Sequence, residues 1–234
     1  MAKTVGFLCA LKPEWLDKTV DLVNEGIVPE SIREILTNTI SSELKSPDNI
    51  RKTREMLMKL WVHPFPDAKM NYIRCQALEA IKDGTESRNV LHWCMLLISF
   101  PVFSDVAGMV GKMLNMQESF TLAWLKGKLA EEWGARATLL RSVEKVMQTM
   151  RQMGIVFSEN GIYQVNSSIV DNVTLKRIMV KTILSLKLRA YYEPSELAHV
   201  AQMFPFEYSI DSELVFGNQY FELGNFGGSP VIVG

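Results

Sequence analysis

Apolar residues recur along most of this chain at intervals of three and four, the spacing that lines one face of an α-helix, and they alternate in only a few short runs. The pattern predicts helices over residues 13–25, 29–42, 47–62 and 67–82. Pro13, Pro29 and Pro47 stand at the start of three of them, where the N–H that proline lacks has no intrahelical partner. Residues 85–98 (TESRNVLHWCMLLI) become apolar on every side toward their end, as the central helix of a bundle does. Pro101 closes that helix, and another is expected over 103–116 with Ser104 or a neighbour as its cap.

The character of the chain changes near residue 118. A helix from Thr121 to Trp133 carries Leu122, Leu125 and Leu129 on one side and is closed by Gly134. A second helix restarts at Ala137, runs to Gln152 and ends at Gly154. Two helices joined by a short glycine-containing turn are the skeleton of a helix-turn-helix. The runs IVFSE and IYQV then flank Asn160-Gly161, a pair that supplies the two positive φ angles of a type I′ hairpin turn. Helix, turn, helix and hairpin in that order predict a winged helix. A long helix is expected over 170–192, with Ile178, Ile183 and Leu186 among its apolar residues and basic residues in the gaps, until Pro194 interrupts it. A short helix over 195–203 follows. The tail alternates aromatics and glycines (FEYSI, QYFELGNFGGSP, VIV) and predicts two or three short strands. The expected architecture is mainly α: a helical bundle over 1–117, then a winged helix-turn-helix over 118–234 with a small β-hairpin and a β-containing tail.

The helix over 137–152 divides cleanly by angle. Leu139, Val143, Val146, Met147 and Met150 fall within an arc of roughly 100°, the width of a core-facing stripe. Thr138, Arg141, Lys145, Gln148 and Gln152 fall on the opposite arc, with Glu144 at its border. Arginine and lysine there match guanine edges or phosphates, and glutamine matches adenine. The same face also suits plain solvation, and many winged helices bind protein instead.

Charge gives this face a context. The net charge is −1, but residues 166–192 carry five basic side chains against Asp171 alone. From Ala190 onward the chain holds no lysine or arginine, while Glu193, Glu196, Glu207, Asp211, Glu213 and Glu222 are acidic. Contact with a polyanion is therefore expected between residues 121 and 192. Lys176, Arg177 and Lys181, with Lys187 and Arg189 beyond them, would extend a phosphate-tracking surface beside the wing. They would equally receive an acidic partner or the chain's own acidic tail.

Other chemistry finds less in the sequence. Cys9, Cys75 and Cys94 are odd in number and widely spaced, which excludes a disulfide framework and a CxxC metal site and points to a reducing compartment. His92 and Cys94 straddle Trp93, and His63 and His199 lie far off in sequence, so no triad or metal spacing emerges; a buried structural His92 is expected. GMVGK at 108–112 lacks the spacing of a phosphate loop and sits within a helical pattern. No enzyme activity and no cofactor are expected. The opening MAKTVGFLCA is too short an apolar run for a signal peptide, and Asn89 to Ser104 is shorter than the ~20 residues of a spanning helix. A cytoplasmic protein without membrane contact is expected.

On the stretches DLVNEGIVPESIREIL, RKTREMLMKLW, VLHWCMLLISFPVFSDV and WGARATLLRSVEKVMQTMRQMGIV, followed by the Asn-Gly hairpin, the chain resembles the BrxA family. These are small proteins encoded with bacteriophage-exclusion (BREX) defence systems, and the likeness runs from about Trp15 to Val215. It implies a helical bundle, similar in part to an antitermination-factor fold, joined to a winged helix that binds double-stranded DNA. It falls on Arg136, Thr138, Arg141 and Lys145, where the family pattern sets Ser/Thr and basic residues at the head of the second helix. The chain departs from that pattern in its weaker basic character and its acidic, glycine-rich tail. The resemblance implies a non-enzymatic accessory component of a phage-defence system. Residues 137–152 would lie in the major groove, with the Glu159 to Ile162 turn at the backbone or minor groove and the basic helix on phosphates. Two alternatives stand beside it: a scaffold docking other defence-system proteins, and a transcriptional regulator.

Overall fold

The computed structural model describes residues 6–85, 87–211, 214 and 221–233. Among them the chain is mainly helical, with small sheets confined to its second half. The first six helices are α1 (Pro13–Asn24), α2 (Pro29–Ser41), α3 (Pro47–Trp61), α4 (Ala68–Lys82), α5 (Arg88–Ser99) and α6 (Pro101–Leu114). Proline opens α1, α2, α3 and α6. Ser46 and Asp67 cap α3 and α4 by accepting from the backbone N–H of Asn49 and Lys69. Pro101 thus begins α6 rather than merely ending α5, and Ser104 is a buried residue of its first turns, not the cap.

The central helix is α5, as expected: every residue from Val90 to Ser99 is buried. It lies among α1, α3, α4, α6 and a later helix, α9 (Val173–Ser185). The pair α5 and α6 bends by 116° at Phe100, and among the described residues no single helix is long and apolar enough to cross a membrane.

After α6 come β1 (Phe120–Thr121), α7 (Leu122–Trp133), α8 (Ala137–Gln152), β2 (Val156–Glu159) and β3 (Ile162–Val165). Thr121 caps α7, and Gly134 leaves it with φ of 79°, a value that only glycine takes readily. Asn160 and Gly161, at φ of 50° and 80°, make the hairpin turn in the left-handed region the sequence predicts. Strand β1 was not legible in the sequence. It pairs antiparallel with β3, Phe120 opposite Tyr163, so the sheet order is β1-β3-β2 and the hairpin closes back onto the start of α7.

The remainder departs further from expectation. Strand β4 (Ser168–Ile169) pairs in parallel with β6 (Phe206–Glu207), so the chain is still extended where a helix was predicted to begin. The helix α9 ends at Ser185, because Lys187 turns left-handed at φ of 53° and β5 (Tyr191–Tyr192) follows. The predicted short helix is two pieces, α10 (Pro194–Leu197) and a single 3-10 turn at Ala201–Met203. The tail hairpin of β7 (Leu223–Phe226) and β8 (Ser229–Val233) pairs with β5 in the order β5-β8-β7. Gln219 and Tyr220 of the predicted tail strands, and Glu213, lie outside the described residues.

The core does not divide at 117/118. Buried apolar residues form one cluster running from Phe7 to Ile232. The 3-10 turn lies on α6 where Gly108 and Gly111 offer no side chain. A Cβ at Gly111 would overlap the Ala201 carbonyl oxygen and stand 2.8 Å from its carbon; one at Gly108 would stand 2.5 Å from Gln202 Nε2. This is what the GMVGK glycines do. The Trp93 indole N–H, fully buried, donates to the Gln202 carbonyl at 2.9 Å. Its ring meets Phe103, Phe204 and Phe206 edge-on. Gly111→Ala is expected to cost about 2–3 kcal/mol and lower Tm by about 5–10 °C, since backbone must move to admit the methyl. Gly127 lies in exposed α7 with nothing near it, so Gly127→Ala is expected to stabilise by about 0.5–1 kcal/mol. Thermal melts of the two variants decide both.

Candidate functional site

The helix α8 buries the stripe its periodicity predicts: Leu139, Val143, Val146, Met147 and Met150 are all within the core. Two residues outside that stripe are buried with it, Ser142 and Thr149. Thr149 explains itself. Its Oγ1 accepts from the backbone N–H of Leu11 at 2.9 Å and donates to the Lys145 carbonyl, so a residue from before α1 is tied to the last turn of α8. The Asn89 amide donates to the Met153 carbonyl at the helix's far end. With α6 and α7 packed against it as well, α8 is held on its inner side along its length.

The opposite face is open. Arg136, Thr138, Arg141 and Gln148 are exposed, and Lys145 is half-buried among them. Lys145 Nζ donates to Gln148 Oε1 at 3.2 Å, and Arg136 reaches the Trp133 carbonyl at 3.4 Å. At 1.5 Å per residue, Thr138 to Gln148 spans about 15 Å of helix. Glu144, on the border of this face, pairs with Lys126 of α7, and that contact holds its carboxyl below the usual range. On α7, Lys128 likewise pairs with Glu131, so the cations of that helix are engaged locally while Arg141 stands out on α8.

The hairpin beside this face has a character that the sequence reading missed. Its outer side presents Phe157, Glu159, Ile162 and Gln164, all exposed, with Phe157 opposite Gln164 and Glu159 opposite Ile162. Its inner side turns Val156 into the core and stacks Tyr163 on Phe120. Strict alternation from Val156 carries this information, since every second residue shares a face. The outer face sets two apolar side chains beside one acid and one amide and holds no lysine or arginine.

The structure brings together four of the eight residues expected at the interface, Thr138, Arg141, Lys145 and Gln148, with Arg136 exposed at the N-cap of the same helix. It does not bring Lys176, Arg177 and Lys181 to them as an exposed basic face. Lys176 is 6% exposed and donates to Ser209 Oγ at 3.3 Å; Lys181 is 8% exposed and donates to Gln76 Oε1 at 2.7 Å; Arg177 is half-buried. The reason is that α9 is covered on more than one side. It packs on α4 and α5, and the run Ile178–Ile183 is buried without a break, so its basic gaps lie inside the fold. Arg189 meets Glu196 at 2.7 Å, the contact with the chain's own acidic segment that the charge distribution allowed.

The other polar cluster is structural. His92 is fully buried on α5, and its Nε2–H donates to Asp17 Oδ1 at 3.0 Å. Its Nδ1 meets no hydrogen-bond partner among the described residues. The tautomer with the proton on Nε2 leaves only an acceptor unsatisfied there. Arg88 bridges Asp17 and Asp21 at 3.3 and 2.9 Å. Burial holds the imidazole pKa down, against the pull of Asp17. Burial raises the Asp17 carboxyl, but His92 and Arg88 outweigh it and leave its pKa low. Cys94 is enclosed, and burial pushes its thiol up to about 12, the reverse of what a nucleophile needs.

Comparison with protein-family models, with curated proteins and with solved structures finds no match.

His92 sets a pH dependence. On unfolding it regains the ordinary pKa of about 6.5, while the fold keeps it lower, so the unfolded chain binds more protons and stability falls as pH drops below that value. Asp17 acts with the same sign further down, below its ordinary 3.8. His92→Gln retains a donor toward Asp17 but does not titrate. It is expected to lose less Tm than the unsubstituted chain between about pH 7 and pH 5. Equal losses across that window would place the pH sensitivity elsewhere.

Proposed function

We propose that the segment from α6 to β3 is a winged helix, and that the chain binds double-stranded DNA with the outer face of α8 in the major groove. The order of helix, strand, helix, helix and hairpin, with β1 closing on β3, supports this reading. The observation that carries it is the α8 face itself. Thr138, Arg141, Lys145 and Gln148 lie along one side of a helix whose other side is locked into the core, with Arg136 exposed at its N-cap. Arg141 and Lys145 supply cations for phosphate or guanine, and Gln148 supplies an amide that suits adenine. With two basic residues on the helix's groove side and a hairpin without cations, the contact is of modest strength and weak in sequence preference. The chain then acts in the cytoplasm as a non-enzymatic accessory component of a BREX-type phage-defence system, the role its resemblance implies.

A second reading is favoured by the hairpin. Phe157 and Ile162 are 43% and 48% exposed on a face that suits protein better than phosphate. A scaffold that docks a larger defence-complex subunit through this face is compatible with DNA on α8.

The test is a salt titration of binding to a random duplex of about 30 base pairs, read by fluorescence anisotropy. Arg141→Ala with Lys145→Ala is expected to weaken binding and reduce the log–log salt slope by about 2. Phe157→Ser with Ile162→Ser is expected to leave that slope unchanged. A slope unmoved by the α8 pair overturns the DNA reading of this face. No DNA binding at low salt, with a protein partner lost on changing the hairpin, establishes the scaffold instead.

A further inference from the structure

On the side of the bundle formed by α4 and α9, an open cavity of about 430 Å³ is bordered by Phe221, Glu222 and Val233 from the tail. Its walls are mostly apolar: Ile73 from α4, Leu184 from α9, Phe221 and Val233, with the Tyr72 ring half exposed at its mouth. Lys181 also lines it. The Lys181 ammonium stands 4.4 Å from the centre of the Tyr72 ring and 2.7 Å from Gln76 Oε1. The Gln76 amide in turn donates to the Tyr72 hydroxyl at 3.3 Å, so α4 positions the lysine through two residues one helical turn apart. Lys69 lies at the rim as a second cation.

A lysine ammonium that lines an apolar pocket, set by a ring and an amide, is a recognition element of defined chemistry. Pockets of this size hold small molecules whose body is apolar and whose orientation is fixed by one or two polar contacts. The geometry points to a binding site for a small aryl or acyl monocarboxylate, its carboxylate on Lys181 Nζ and its apolar body against Ile73, Leu184 and Phe221. The exposed Glu222 in the lining opposes any negative charge set near it, which confines the ligand's one carboxylate to Lys181. Burial, with the Arg177 charge nearby, holds the Lys181 pKa down to about 8. A carboxylate on Nζ would favour the charged form and offset part of that burial. The site is on the bundle, separate from the α8 face, and does not rest on the DNA reading.

The experiment uses the full chain and two probes of the same shape, 2-naphthoate and the neutral 2-naphthamide. Binding is followed by titration calorimetry and by the Gln76 side-chain amide resonance in ¹H–¹⁵N spectra. The acid is expected to bind saturably, to shift the Gln76 resonance and to bind about tenfold more tightly than the amide. Lys181→Met is expected to erase that preference. Tyr72→Ala, at a half-exposed position, is expected to weaken both probes and keeps the test decisive if the lysine variant is poorly folded. Equal affinity for acid and amide, an unshifted Gln76 resonance, or no saturable binding overturns the assignment.

Discussion

The burial of Trp93 organises this molecule. Its indole stands at the middle of α5, meets three phenylalanine rings edge-on and gives its N–H to a carbonyl more than a hundred residues later in the chain. That hydrogen bond needs the 201–203 turn to lie directly on α6, and the turn lies there because residues 108 and 111 have no side chains. Truncating a buried tryptophan of this kind costs on the order of 3–5 kcal/mol, a sizeable part of the stability of any domain. The central helix, the glycine pair and the tail are therefore one arrangement, and the parallel pairing of β4 with β6 is the continuation of the same segment past Phe206.

Charge along this chain is a poor guide to charge on its surface. The stretch with the greatest excess of basic residues is α9, and most of α9 is buried between its neighbours. Lysine stems are long enough to pack as apolar matter while their ammonium groups find a local acceptor, as Lys176 does at Ser209 and Lys181 at Gln76. What remains outside is nearly balanced, with Lys126 answered by Glu144 and Arg189 by Glu196. The outward face of α8 owes its polarity to a few residues and not to a general positive field.

Much of the fold was legible because its signals are local. Proline at helix starts, glycine at helix ends and the Asn-Gly turn act within a few residues, and α1 to α8 with the hairpin follow them closely. The buried stripe of α8 was legible for the same reason, since one angle per residue decides it. The misreadings arose where a distant partner decides. Nothing in the residues near Val170 announces a parallel strand pair with Phe206, and nothing within α9 says that α4 and α5 will cover its basic gaps. The two glycines of α6 read as a failed phosphate loop until their contact, ninety residues on, was in view. The outer face of the hairpin is legible from alternation alone, which sets Phe157 and Ile162 on the side away from Val156.

The bond from Leu11 to Thr149 carries a consequence for how this chain can be divided. A segment of two helices and a hairpin with a core of its own could be excised and moved between proteins at its loops. Here the helix that would be transplanted has a hydroxyl of its last turn answered by the segment before α1 and its end answered by Asn89. Cutting near residue 117 would leave a buried threonine facing solvent on its inner side and strip α9 and the tail of the helices they cover. The smallest piece that keeps α8 in place is nearly the whole chain, so its outer face can be altered residue by residue but not exchanged as a module.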